Sequence, residues 1–210
     1  SYTGTNSGVA INLGFEPQWV IIKRTDGAQS WYIFDKMRGF AVNDNPVTLQ
    51  PNTNAAEGGL GKYRITNTGF QFNSDSGESG WEYIYMAIRA PMITPPAAAT
   101  EVFAIATRDG TAPGFNSGFP VDATLQRSLN GEDNTWLSSR LTGTGYLQTT
   151  RTNAEATSSS IQYDYMDGYG SAGANSNLYG WMWKRAKGYF DVVAYTGNAT
   201  NPQDVNHSLG

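Results

Sequence analysis

Hydrophobic and polar residues alternate in short runs along most of the chain, and turn-forming residues separate the runs. The run from Gln18 to Lys23 is β-branched and aromatic, and it is followed by the turn signal Asp26-Gly27. Residues 63–66 and 69–72 flank Asn67-Thr68, which predicts a β-hairpin. The same pattern predicts strands over 30–34, 81–89, 103–107, 122–127, 160–165, 179–185 and 190–195.

Helical periodicity is hard to find in this sequence. Only residues 34–39 and 54–58 are compatible with a helix, and both stretches are short. Many short strands separated by turns are typical of a β-sandwich or jelly roll. We therefore expect an all-β protein with a β-sandwich (jelly-roll) architecture.

The second half of the chain repeats the first. One copy opens with Leu13-Gly14-Phe15-Glu16-Pro17, and the other opens with Ser117-Gly118-Phe119-Pro120. Further pairs in the same order are Trp31 with Trp136, Leu49-Gln50 with Leu147-Gln148, Thr53-Asn54-Ala55 with Thr152-Asn153-Ala154, Gly69-Phe70 with Gly168-Tyr169, and Tyr85 to Ala90 with Trp181 to Ala186. Because the order is kept throughout, the sequence predicts two similar modules in series.

A proline- and alanine-rich stretch marks the boundary between the two copies. Pro95-Pro96 and the three alanines that follow predict a stiff linker. The expected divisions are a first sandwich at 1–93, a linker at 94–100, a second sandwich at 101–193, and the start of a third repeat or a connecting strand at 194–210. Since Tyr195-Thr196-Gly197 resembles Tyr2-Thr3-Gly4, we expect the natural polypeptide to continue the array.

Composition excludes several classes of function. The formal charge of -4 argues against nucleic acid and anionic membranes, which attract basic surfaces. The longest apolar runs are far shorter than the ~20 residues of a membrane helix, so no membrane insertion is expected. The absence of cysteine excludes disulfides, thiolate zinc sites and cysteine nucleophiles.

The Gly-Phe-x-Pro segment at 14–17 and the strand Trp19 to Lys23 resemble a module of bacteriophage structural proteins. That module recurs in tail-fibre and other virion proteins of marine and environmental phages, and it is similar to concanavalin-A-like sandwiches. The resemblance implies two tandem concanavalin-A-like domains, a virion location, other virion subunits as partners, and a homo-oligomer. The second copy departs from the pattern, because Phe119-Pro120 lacks the spacer residue and Asp122 takes the position of the Trp.

Catalytic chemistry finds little support in the sequence. A Ser-His-Asp device needs a histidine, and the chain contains only His207. Glycoside hydrolysis needs two carboxylates roughly 5–10 Å apart, whereas Glu78 and Glu82 on one extended strand would lie ~13 Å apart. Glu132-Asp133 follows Gly131 in a predicted turn. We expect a protein that is not an enzyme and has no catalytic residues, with a glycoside hydrolase as the less favoured alternative.

Aromatic side chains are candidates for ligand binding, since the C–H face of a sugar packs on a flat ring. Phe40 follows Arg38-Gly39 and Tyr146 follows a Gly-Thr-Gly segment, so both could stand at a loop tip and bind a ligand. The favoured alternative for each is packing in the core or at its rim. Trp31 and Trp136 occur in both copies and are interpreted as core residues.

Calcium is the one metal that the acidic loops would suit, and no other cofactor is expected. Asp44 lies between Asn43 and Asn45, and Asp164 and Asp167 form a second oxygen-rich group. Calcium takes several oxygen ligands from flexible loops, although neither group has a fixed calcium-binding spacing.

The predicted function is that of a virion structural or appendage module, in a tail fibre, spike or capsid-associated protein. It would serve assembly, spacing or host-surface attachment, with host-cell glycans as ligands. The alternative is a secreted carbohydrate-binding module or adhesin.

Overall fold

The computed structural model describes residues 1–40, 46–73, 78–89, 95–130, 134–195, 197–199, 202–207 and 209. Over these residues the chain is all-β, with antiparallel sheets consistent with a β-sandwich and no α-helix. None of the helical turns in the described ranges is long and apolar enough to cross a membrane. The chain divides into two compact units, unit 1 with residues 1–91 and 193–206 and unit 2 with residues 92–192 and 207–210.

The described residues of unit 1 form nine strands arranged in three sheets. They are β1 (Tyr2–Thr3), β2 (Val9–Asn12), β3 (Pro17–Arg24), β4 (Tyr32–Asp35), β5 (Val47–Thr48), β6 (Gly58–Gly59), β7 (Tyr63–Thr66), β8 (Gly69–Phe72) and β9 (Glu82–Arg89). The sheet orders are β1-β9-β3-β4, β2-β8-β7 and β5-β6. The hairpin predicted around Asn67-Thr68 is present as β7 and β8.

Aromatic rings join the two larger sheets of unit 1. Phe34 of β4 contacts Tyr63 of β7 with ring centroids 4.7 Å apart, and Tyr85 of β9 meets Phe70 of β8 edge-on at 5.3 Å. Alternation along the strands turns these rings inward, and Phe34 and Phe70 are completely buried. Burying such rings is the main stabilisation of a core of this size.

In the part of unit 2 that the structure describes there are eight strands and a separate core. The strands are β10 (Phe103–Arg108), β11 (Phe115–Asn116), β12 (Ala123–Ser128), β13 (Trp136–Ser139), β14 (Gly145–Gln148), β15 (Ala156–Thr157), β16 (Gly168–Tyr169) and β17 (Asn175–Trp183). They form the sheets β10-β17-β12-β13-β14-β15 and β11-β16, and two 3-10 turns lie at Ala99–Glu101 and Arg140–Thr142. Its buried core consists of Phe115, Phe119, Val121, Ile161, Tyr163, Tyr169 and Met182.

The two units share a strand order and a turn. The order β1-β9-β3-β4 in unit 1 corresponds to β10-β17-β12-β13 in unit 2. Asn12 Oδ1 accepts a hydrogen bond from the amide of Gly14, and Asn116 Oδ1 accepts one from Gly118. Both glycines have a positive φ, which side-chain-bearing residues rarely adopt. The same local chemistry therefore turns the chain into β3 and into β12.

A buried cationic residue follows β4 in unit 1, and another follows the corresponding strand β13 in unit 2. Lys36 donates from its main-chain N–H to Gln18 O, and Arg140 donates in the same way to Asp122 O. Both side chains are less than a tenth exposed. Lys36 Nζ pairs with the buried carboxylate of Glu16, while Arg140 is met by a different set of acceptors.

The core of unit 2 is more polar than that of unit 1. Val20 lies opposite Phe34 in unit 1, and the corresponding pair in unit 2 is Thr124 opposite Ser138. Tyr163 fills the polar site, because its hydroxyl hydrogen-bonds to Ser138 Oγ at 2.8 Å and to Thr124 Oγ1 at 3.2 Å. A buried hydroxyl without a partner would be costly, so these polar substitutions depend on one another.

The structure corrects some of the predicted repeat pairs. Matching Tyr85–Ala90 with Trp181–Ala186 equates Met86 with Met182, yet Met86 is 59% exposed and Met182 is fully buried. The ladders instead place Met86 opposite Ile21 and Trp181 opposite Leu125. A slip of one residue in a strand reverses the face of every side chain, which sequence similarity alone does not detect.

Two predicted strands and one predicted core residue are also wrong. Residues 160–165 form no strand, although Ile161 and Tyr163 point into the core. Residues 190–195 make only one bridge, between Phe190 and Ala186, because Asp191 accepts a hydrogen bond from the next amide and competes with a ladder. Trp31 was expected in the core but precedes β4 and is 38% exposed.

Residues 193–206 are grouped with unit 1. The amide of Asn67 donates to Ala194 O at 3.1 Å, and the described residues of this segment form no strand. A third repeat beginning at 194 stays a prediction.

Tyr169 makes the stability of unit 2 sensitive to alkali. Burial raises the pKa of Tyr169 from 10.0 to about 12, so the folded form keeps its proton when the unfolded form has lost it. The resulting stability is present below pH ~10 and is lost as the pH rises to about 12, by up to about 2–3 kcal/mol. We expect urea unfolding midpoints to fall over this interval, and to fall less steeply in Tyr169→Phe. Equal slopes for the two proteins would contradict the assignment.

Candidate functional site

The two aromatic residues predicted to bind a ligand do not stand at loop tips. Phe40 is completely buried, and its ring lies 5.5 Å from that of Phe34 in the core of unit 1. A loop-tip position for Phe40 is therefore wrong, and the favoured alternative of core packing is confirmed. Burial of the apolar ring is favourable, and it places Phe40 in the core although the adjoining Gly39 indicated a turn.

Tyr146 lies in β14 and is half-buried. Its ring stacks on Trp136, with centroids 4.1 Å apart and planes 21° from parallel. Both rings pack against the core of unit 2, so one face of Tyr146 is already covered. The placement matches rim packing rather than a projecting sugar-binding platform.

The calcium candidates that the structure describes belong to no metal-binding cluster. Asp44, with Asn43 and Asn45, lies outside the described residues. Asp164 and Asp167 are both exposed. Within the described ranges, no group of three or more His, Asp or Glu side chains is placed to hold a metal ion.

The carboxylates considered for glycoside hydrolysis have different environments. Glu78 is buried, with Oε1 2.6 Å from Lys62 Nζ and Oε2 accepting a hydrogen bond from Tyr83. Glu82 is exposed at the start of β9. Glu132-Asp133 lies outside the described residues, and His207 is exposed near the end of the chain.

Unit 2 exposes apolar residues on the outer face of its large sheet, the side away from the core. A row of paired residues crosses five strands of this face. The pairs are Ile105 with Trp181, Trp181 with Leu125, Leu125 with Leu137, and Leu137 with Leu147, which we call the unit 2 row. Ile105, Leu137 and Leu147 are each 42–55% exposed. Isolated exposed hydrophobic residues are ordinary, but a continuous row of five indicates a contact surface.

Unit 1 carries a corresponding row on its own outer face. Met86 pairs with Ile21, Ile21 with Ile33, and Ile33 with Leu49. These four residues occupy the positions of Trp181, Leu125, Leu137 and Leu147 in the equivalent ladders. The outer face of an antiparallel sheet is usually polar, so packing in the core does not explain why apolar residues recur at these outward positions in both units.

Beside the unit 1 row, the outer face forms an open groove of about 460 Å³. It is lined by Gln18, Trp19, Asp35, Met37, Arg38 and Ile88. Trp19 lies between Asp35 on one neighbouring strand and Ile88 on the other. Arg38 Nη2 is 2.5 Å from Asp35 Oδ2, and Asp35 Oδ1 accepts a hydrogen bond from the Arg38 amide. The groove thus combines an aromatic ring, an amide and an ion pair.

Unit 2 lacks this combination at the equivalent positions. The ladder places Ala123 where unit 1 has Trp19, and Ser139 where it has Asp35. Thr142 follows Ser139 by three residues, as Arg38 follows Asp35, and its hydroxyl caps the adjoining 3-10 turn. These described positions of unit 2 therefore do not repeat the groove chemistry of unit 1.

Sequence reasoning missed both outer-face rows and the groove. The run Trp19-Val20-Ile21-Ile22 is apolar at every position, which hides the fact that only Val20 and Ile22 face the core. The available signal was this lack of alternation, because a strand with one solvated face is expected to be polar at every second residue. The partners across the ladder become visible only with the register.

Comparison with known proteins gives one match. Residues 1–91, which make up most of unit 1, match a family described as a domain of unknown function, DUF7483. No curated protein and no solved structure matches the chain.

Proposed function

We propose that this chain is a structural and attachment module of a virion appendage, such as a tail fibre or spike. It assembles with further copies of itself through the outer face of unit 2, and it attaches to glycans on a host surface. The observation that carries the proposal is the unit 2 row, a line of five apolar residues across five strands of one exposed sheet face. The virion setting comes from the resemblance of the first repeat to phage structural modules.

We further propose that the two units are tandem concanavalin-A-like jelly-roll domains. Their shared strand order, the matching Asn-x-Gly turns and the buried cation after β4 and after β13 support a common module. A repeated module with a repeated contact row suits a fibre, in which each copy of the fold contributes spacing and contacts.

The occupant of the unit 2 outer face is a second copy of this chain. With strands spaced ~4.8 Å and strands that average about six residues, the face measures roughly 24 Å by 19 Å, or about 460 Å². This is smaller than the roughly 800 Å² per partner of a standard protein interface, so a fibre would combine many such contacts. Apolar residues form the centre, while Thr107 and Arg127 lie at one margin, as in a typical interface.

A second copy can use the same surface without an additional partner. A two-fold contact pairs one patch with itself, and sheet faces stack about 10 Å apart with strands inclined by about 30°. Trp181, which pairs with the central Leu125 of the row, would supply a large side chain of the kind that dominates many interfaces.

Replacing Leu137 with Glu tests the assembly. Leu137 is 42% exposed, so the isolated unit tolerates the change, but the new carboxylate would be buried without a partner in the dimer. We expect the dissociation constant to rise at least about a hundredfold, so that a wild-type dimer becomes a monomer in sedimentation velocity.

Met166→Glu is the matched control, because Met166 is 67% exposed but lies outside the sheet. It should leave the sedimentation profile unchanged. A wild-type protein that is monomeric at about 100 µM, or equal dissociation constants for Leu137→Glu and the wild type, would refute assembly through this face.

A further inference from the structure

We infer that the groove of unit 1 is a binding site for a neutral hexopyranose, such as the terminal sugar of a surface glycan. The inference rests on the proposed attachment function and assigns that function to the residues that line the groove. It concerns a surface different from the assembly face of unit 2, so each can be tested while the other is intact.

The first argument is the kind of surface that Trp19 provides. Its indole lies on the outer side of β3, half-buried between Asp35 and Ile88. The C–H bonds on one face of a pyranose ring form an apolar surface that packs on an aromatic ring. Met37 and Ile88 extend the apolar part of the groove.

The second argument is the set of polar groups beside that ring. The Gln18 side chain offers both a donor and an acceptor, the Asp35 carboxylate accepts, and the Arg38 guanidinium donates. Sugar hydroxyls donate and accept, so they match such a mixed set. The charges of Asp35 and Arg38 offset each other at 2.5 Å, which favours a neutral sugar over an anionic one.

The third argument is that protein groups do not satisfy the Arg38 side chain completely. Its Nε is a buried donor without an acceptor among the described residues. Such donors are rare and carry a cost that a functional role can offset. The volume of about 460 Å³ also lies in the range of small-molecule sites, about 300–1000 Å³.

The test is saturation-transfer difference NMR with the methyl glycosides of glucose, galactose, mannose and N-acetylglucosamine, each at about 10 mM. We expect transfer to the ring protons of at least one glycoside. Trp19→Ala should weaken that binding at least about tenfold, whereas Trp19→Phe, which keeps a ring, should retain part of it. Arg38→Met should also weaken it, with Arg38→Lys intermediate because lysine lacks the planar fork.

Trp31→Ala is the matched control, since Trp31 is an exposed tryptophan of the same unit outside the groove. It should bind as the wild type does. Transfer from none of the four glycosides, or unchanged binding by Trp19→Ala, would overturn the inference. Measuring both sedimentation and glycoside binding of Leu137→Glu separates the two proposals, because this variant should no longer dimerise but should still bind the glycoside.

Discussion

Replacing Arg140 with Met is expected to destabilise unit 2 by about 3–5 kcal/mol, the usual cost of removing one partner of a buried ionic group. Arg140 is only 4% exposed and holds three groups together. Its guanidinium donates to Val121 O at 2.5 Å, to Tyr163 O, and to Asp122 Oδ1 at 3.3 Å. Met fills the volume but leaves these acceptors without their donor.

The loss should extend from β12 to the chain around Tyr163. Asp122 Oδ2 also accepts from the Arg185 amide at 2.8 Å, so the same carboxylate connects the start of β12 with the segment after β17. Because the two units can unfold separately, a single free energy of unfolding is not well defined for the chain. Hydrogen exchange followed by mass spectrometry reports each unit, and we expect faster exchange of β12 and β13 amides with unchanged exchange in unit 1.

Two variants control this experiment. Arg127→Met removes an exposed arginine of β12 and should change stability by less than about 0.5 kcal/mol. Arg140→Lys keeps the charge without the fork of donors and should lie between the wild type and Arg140→Met. If Arg140→Met exchanges like Arg127→Met, the buried guanidinium does not hold unit 2 together.

Replacing Gly69 with Ala is expected to destabilise unit 1 by about 3 kcal/mol, at the upper end of the usual cost of overpacking. A Cβ at Gly69 would lie 1.9 Å from Ile11 O, a main-chain atom that cannot rotate away. Strands β2 and β8 would therefore have to separate where Asn12 pairs with Gly69. Urea unfolding together with hydrogen exchange of β2 and β8 measures the effect.

Gly58→Ala is the matched control for this change. Gly58 is also a strand glycine, but nothing lies within 4 Å of the position of its added Cβ. It should be neutral or slightly stabilising, because alanine restricts the unfolded chain. Gly168→Ala should repeat the loss in unit 2, since its Cβ would meet Phe115 O at 2.3 Å. Equal stability of Gly69→Ala and Gly58→Ala would show that the strand spacing relaxes freely.

The parts of the fold that sequence predicted well depend on local chemistry. Residues 63–66 and 69–72 form the expected hairpin, because a polar turn between two alternating runs favours one register. The Gly-Phe segments at 14–15 and 118–119 follow equivalent turns, because Asn side chains accept from the glycine amides within three residues. The all-β class follows from the same local signals.

The site was not predictable in the same way. Phe40 looked exposed because it adjoins a glycine turn, but the amide of Phe40 bonds to Asp35 O and the ring enters the core. Trp19 opens a run that is apolar at every position, so the run does not show which face Trp19 occupies, and pairing with Asp35 and Ile88 places it on the outer face. Neither outcome is encoded in neighbouring residues, since each depends on which side of the sheet becomes the interior.

The sequence by itself determined the all-β class, the hairpin of residues 63–72 and the Asn-x-Gly turns before β3 and β12, since these arise from alternation and turn chemistry within a few residues. Only the tertiary structure decided the register, which turned Met86 outward and Met182 inward from similar strands. It also paired Arg140 with carbonyls of Val121 and Tyr163, far apart in the chain. The physical reason is that facing and pairing depend on contacts between distant strands, whose energies no local pattern records.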